Sequence, residues 1–109
     1  NKTLYSSFAS ESFEADNTLQ AYAIELKAYL EKYSGKKVTI TGHTDNVGEE
    51  IDNDWIGMER AKSAMKYLVS QGIPSEMLLA QSKGETSPIA DNATKEGRQQ
   101  NRRIEITVN

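Results

Sequence analysis

Seven apolar residues, Leu19, Tyr22, Ala23, Leu26, Tyr29, Leu30 and Tyr33, recur at three- and four-residue intervals and stop before Gly35. That spacing is one stripe of a helix of about four turns, with Asp16 or Asn17 as its candidate N-cap. A second stripe, Ile56, Ala61, Ala64, Met65, Leu68 and Val69, predicts a helix from about Asn53 to Ser70. Gly72 sits where a C′ glycine belongs, and Pro74 blocks continuation. A one-sided helix must bury its stripe against another element, and the chain between the stripes has period two. Val38 and Ile40 share one face of a strand over Lys36 to Gly42, while Lys37 and Thr39 share the other. Ile104, Ile106 and Val108 alternate with Glu105, Thr107 and Asn109 in a final strand. Thr3 to Phe8 is mildly β-prone, and Leu79 to Lys83 alternates weakly. Ser75 to Leu79 reads as a short helical turn. Gly84 to Gly97 reads as a long loop, with a helical turn near Thr94–Gly97.

The order βαβαββ predicts an α/β chain of the α+β sandwich type: a four-stranded mixed sheet with two main helices packed on one face. Strands alternating with helices imply at least one right-handed parallel crossover. The other sheet face is left polar, as antiparallel pairs tolerate. With 109 residues, 37% hydrophobic and 27% charged, the chain fits one globular domain spanning 1–109. No apolar run approaches the roughly 18–20 residues of a membrane-spanning helix.

The densest polar cluster is Gly42-His43-Thr44-Asp45-Asn46-Val47-Gly48, between the end of a strand and the start of a helix. Ligands of open α/β sheets tend to bind outside the carboxyl ends of strands. A helix start adds unpaired N–H groups and a positive dipole end, which favour an anion. Asn53 and Arg60 are two helical turns apart and share a face. One mouth thus gathers a carboxylate (Asp45), a guanidinium (Arg60), an amide (Asn53) and backbone donors. That set complements a zwitterion, with Asp45 for an ammonium and Arg60 for a carboxylate. It is equally the set of an Asp45–Arg60 ion pair that only tethers loop to helix, and spacing alone leaves both readings open.

Other chemistries find less support. The chain has no cysteine and a single histidine, His43. That excludes thiol catalysis and thiolate metal sites, and no Gly-x-Ser-x-Gly elbow is present. His43 reads as a hydrogen-bonding residue at a strand end. With Asp45 it offers two metal ligands and no clear third. No catalytic residue, metal or cofactor is therefore expected. Arg98, Arg102 and Arg103 form a small basic cluster, but the net charge is −3 and no aromatics interleave, so no nucleic-acid partner is expected.

The string Ile40 to Gly48, with Asn53, Arg60–Ala61, Gly72–Ile73, Gly84–Glu85, Pro88, Asn92, Gly97–Arg98 and Asn101 to Glu105, resembles the OmpA-like C-terminal domain. This family also includes peptidoglycan-associated lipoprotein and the periplasmic part of MotB. The resemblance covers essentially the whole chain. It implies non-covalent binding of peptidoglycan through the diaminopimelate of the stem peptide, whose side-chain end is a zwitterion. By resemblance Asp45, Arg60 and Asn53 carry the binding, Thr44 and Asn46 are loop contacts, and Asn101 and Arg103 border the groove or form a turn into the last strand. It further implies a periplasmic location attached to the outer membrane and the C-terminal part of a longer envelope protein. Membrane contact would come only through an upstream anchor or barrel, since Asn1-Lys2-Thr3-Leu4 carries no signal peptide. Family relatives dimerise or contact envelope partners, which leaves room for a homodimer or for a protein–protein module without wall binding. Two departures stand out. Ile56–Gly57 replaces the common Leu–Ser, with little effect expected, and Tyr5-Ser6-Ser7-Phe8 replaces the familiar first-strand opening, with Ser10 and Ser12 following Phe8. Trp55 reads as a rim or packing residue.

Overall fold

The computed structural model describes residues 2–5 by their backbone and residues 17–109, with side chains from Leu19 onward. The elements run β1 (Lys2–Tyr5), α1 (Asn17–Lys32), β2 (Val38–His43), α2 (Glu50–Ser70), a 3-10 turn (Ser75–Met77), β3 (Leu78–Gly84), α3 (Lys95–Asn101) and β4 (Arg103–Val108). This is a mixed α+β fold. The order departs from βαβαββ because the segment expected to hold one turn near Thr94–Gly97 forms the seven-residue α3. Its N-cap is Thr94, whose Oγ1 accepts the Gly97 N–H at 2.9 Å. Among the described residues no helix is long and apolar enough to cross a membrane.

The strands lie in the order β1-β4-β2-β3. β2 runs parallel to β3, with α2 as the crossover, and antiparallel to β4, while β1 pairs β4 antiparallel. Several element ends differ from their expected places. β1 is described only over Lys2–Tyr5, so Phe8, Ser10, Ser12 and Asp16 lie outside the described residues. β2 begins two residues later than expected and includes His43. α2 begins about one turn earlier, at Glu50, where Glu49 caps without a side-chain hydrogen bond. Glu50 and Asp52 in that first turn complement the helix dipole, a signal that outweighs the missing cap.

Both stripes enter one core. Leu19, Ala23, Leu26 and Leu30 of α1 join Ala61, Ala64 and Leu68 of α2, Val38 and Ile40 of β2, Ile104 and Ile106 of β4, and Ile73. Tyr29, Tyr33 and Val69, expected in the stripes, remain largely exposed. The buried stripe of α2 also changes chemistry along its length. Ala61, Ala64 and Leu68 are apolar, but Asn53, Gly57 and Arg60 continue the same buried face toward the helix start.

That polar half is possible because α2 comes very close to β2. A Cβ on Gly42 would lie 1.7 Å from the carbonyl oxygen of Gly57, and a Cβ on Gly57 would lie 2.3 Å from Ser82 Oγ. The Ile56–Gly57 departure thus falls at the nearest approach of helix and sheet. We predict that Gly42→Ala lowers stability by about 1–3 kcal/mol, the usual cost of an overpacked contact, because the obstacle is backbone and cannot rotate away. Urea unfolding would measure this, and an unchanged midpoint would contradict the packing described.

Candidate functional site

Beyond β2, the Thr44 N–H donates to Gly84 O at 2.9 Å and extends the parallel ladder by one residue. The chain then turns. Asp45 Oδ1 accepts the Val47 N–H at 3.0 Å, and Gly48 adopts φ +90°, a left-handed conformation that suits glycine. Thr44 Oγ1 donates to Asp45 O at 2.8 Å. These local bonds hold the Asp45 carboxylate facing inward, and the residue is only 4% exposed.

Arg60 reaches this loop from the third turn of α2. Its Nη1 donates to His43 O at 3.0 Å, and the residue is 1% exposed. Burial lowers its pKa to about 10; the nearby Asp45 charge partly offsets this, and the nearby Arg102 adds to it. The guanidinium therefore stays charged at physiological pH. Asn53, also buried, donates from Nδ2 to Glu85 Oε1 at 3.0 Å, across to the segment after β3. The structure thus brings Thr44, Asp45, Asn53 and Arg60 to one junction, where the end of β2 meets the start of α2. Asn46 lies exposed on the loop. A groove of about 350 Å³, lined by Glu50, Ile51, Asp54 and the 83–86 segment, opens beside Asn53.

Two nominated residues sit elsewhere. Arg103 pairs in register with His43, on the sheet face opposite α2. Its Nε donates to Glu105 Oε2 at 2.6 Å and its Nη2 to Ser87 O at 2.8 Å. Asn101 is fully buried and staples the preceding loop: its Oδ1 accepts from the Ile89 and Ala90 N–H groups, and its Nδ2 donates to Ala90 O and Asn92 Oδ1. Of its two proposed roles, the contacts are those of the turn into β4.

The partner of Asp45 is a residue that spacing did not nominate. Arg102 Nη1 donates to Asp45 Oδ2 at 2.6 Å. In the sequence Arg102 looks like one member of a basic cluster. The parity of β4 held the clue. Arg103 and Glu105 share one face, so residue 102 falls with Ile104 and Ile106 on the side that faces α2.

His43 also differs from expectation. It is buried, yet neither ring nitrogen has a hydrogen-bond partner among the described residues. Nε2 lies 3.5 Å from Glu105 Oε1, too far for a strong hydrogen bond. Burial, then the charges of Arg103 and Lys83, lower its pKa to about 4 against the opposing pull of Glu105. Burial alone would raise the Glu105 carboxyl, but the hydrogen bond from Arg103 and the positive neighbours hold it below its ordinary value.

The model of the OmpA family matches residues 7–102. The chain belongs to the OmpA family. Peptidoglycan-binding protein ArfA of Mycobacterium tuberculosis is 47% identical over 73 residues, 67% of this chain and 22% of that protein. Probable lipoprotein YiaD of Escherichia coli is 37% identical over 108 residues, 99% of this chain and 48% of that protein. The chain therefore spans about a fifth of ArfA and about half of YiaD. The crystal structure of the peptidoglycan-associated lipoprotein from Burkholderia pseudomallei superposes with a TM-score of 0.89 at 26% identity, covering 100% of this chain and 91% of that one. The C-terminal domain of Helicobacter pylori MotB shares the fold, with a TM-score of 0.83 at 23% identity over 100% of this chain and 84% of that one.

A histidine whose pKa is lower folded than unfolded binds more protons when unfolded, so stability falls as pH drops from the unfolded value toward the folded one. We predict that stability is constant above about pH 6.5 and declines from there toward pH 4, the window set by the ordinary histidine value and the lowered one. Urea midpoints across that range would show the decline. In His43→Gln the slope between about pH 6.5 and 5 should vanish, and an unchanged slope would assign it to other groups.

Proposed function

We propose that this chain is a binding domain, not an enzyme, that holds peptidoglycan non-covalently through the diaminopimelate of the stem peptide. It would thereby anchor an outer-membrane protein or envelope complex to the cell wall, from the periplasmic side. The observation that carries this reading is a buried carboxylate with buried guanidinium groups around it, at the end of a strand and beside a helix start. Membership of the OmpA family supports it, as do relatives named for peptidoglycan binding and peptidoglycan association.

In this mechanism the ammonium of diaminopimelate goes to Asp45. Its carboxylate goes to Arg60, helped by backbone N–H groups of the loop and the start of α2. Asn53 and Thr44 hold the loop and helix start in register, and Asn46 lies at the outer lip. Arg60 keeps its charge, so it adds no pH dependence to binding between about pH 5 and 8. One such contact is modest, and a wall presenting many stem peptides supplies avidity.

Removing one partner of a desolvated charged pair costs about 2–5 kcal/mol, or roughly 30- to several-thousand-fold in affinity. Asp45→Ala and Arg60→Ala should each lose retention on purified sacculi by that factor, with circular dichroism checking the fold. A folded Asp45→Ala protein retained like wild type would overturn the assignment. Titration with free diaminopimelate against lysine whose α-amino and α-carboxyl groups are blocked, which leaves an ammonium without a neighbouring carboxylate, should favour diaminopimelate, and equal affinity would remove the role given to Arg60.

A further inference from the structure

Both carboxylate oxygens of Asp45 hold a hydrogen bond before any ligand arrives. Oδ1 takes the Val47 N–H at 3.0 Å and Oδ2 takes Arg102 Nη1 at 2.6 Å. Arg102 is the less enclosed member of the pair, with its side chain 14% exposed against 5% for Asp45. Its Nε is buried without a hydrogen-bond partner among the described residues. The guanidinium is thus anchored at one nitrogen and under-supplied with acceptors at another.

An ammonium that approaches Asp45 meets a side chain only 5% exposed with Arg102 already on Oδ2, and in so enclosed a place it competes with that guanidinium. If it wins alone, one ion pair is exchanged for another, and a cation already short of acceptors is left stranded in a poorly solvated place. That outcome is unfavourable, because an unmatched buried charge costs more than its pair contributes. A ligand with a carboxylate close to its ammonium avoids this. It breaks one ion pair and forms two, since its carboxylate can take the released guanidinium in a bidentate contact.

We propose that Arg102 is a specificity-determining residue of this site, acting by exchange of ion-pair partners: it makes a lone ammonium a poor ligand and an amino-acid zwitterion a good one. The proposal rests on the peptidoglycan reading and adds to it a residue and a reason for selectivity. Arg102 does not replace Arg60; it adds a second cation that only a zwitterion satisfies.

The test is a gain of binding, which a misfolded protein cannot imitate. Wild type, Arg102→Gln and Arg102→Met are titrated calorimetrically with free diaminopimelate and with Nα-acetyl-lysine amide, whose ε-ammonium has no carboxylate beside it, and retention on sacculi is measured in parallel. The Met variant keeps the apolar stem and stands in if the Gln variant fails to fold. Expected is a rise in affinity for the blocked lysine on removal of the guanidinium and a fall of about tenfold or more in the ratio of diaminopimelate to blocked-lysine affinity. A ratio unchanged in a variant that still binds diaminopimelate overturns the exchange and leaves the peptidoglycan reading standing. Absence of diaminopimelate and sacculus binding in wild type overturns both.

Discussion

A helix seated directly on a strand at one pair of glycines underlies the rest of this structure. Where Gly42 meets Gly57 the backbones approach so closely that a methyl group on Gly42 would overlap a carbonyl oxygen. The approach carries Arg60 over the end of β2, where its guanidinium reaches the His43 carbonyl, and sets Asn53 against the segment after β3. Were α2 held off by ordinary core side chains, the same residues would project into solvent as flexible surface charges. Their interactions would then be worth little.

Close seating has an electrostatic consequence. Asp45, Arg60 and Arg103 are each almost wholly buried, and Arg102 nearly so. Charges placed there lose their hydration and must find partners within the protein or in a ligand. Around the end of β2 they are sorted by sheet face. On the α2 side lie Asp45, Arg60 and Arg102. On the other lie His43, Arg103 and Glu105, where a neutral imidazole completes the packing. The second group braces β4 and the loop from Ser87, so the junction sits on a braced strand end.

Much of this was legible beforehand. The two stripes and the period-two runs placed α1, α2, β2 and β4 to within a few residues, and the strand-end position of Asp45 with the two-turn spacing of Asn53 and Arg60 marked the junction. The misses share a physical cause. Arg102 and Arg103 are adjacent and chemically identical, so composition could not say which faces α2; the alternation of β4, with Ile104 and Ile106 in the core, sorts them. Asn101 stood open between a groove and a turn role because its loop partners are nine to twelve residues away in the chain. His43 looked like a hydrogen bonder because its type usually is one, whereas its nitrogens meet a crowded, cationic face.

The sequence by itself determined the elements, their amphipathic faces and the gathering of carboxylate, amide and guanidinium groups near one strand end. Those properties follow from local periodicity and turn chemistry, which act over a few residues. The tertiary structure alone decided which charge meets which. The partner of Asp45 is 57 residues away, and its choice depends on strand register, on which side of β4 each arginine leaves, and on how near α2 lies to the sheet. Ion pairing in a buried place is set by distance and lost hydration, and neither quantity exists until the chain has packed.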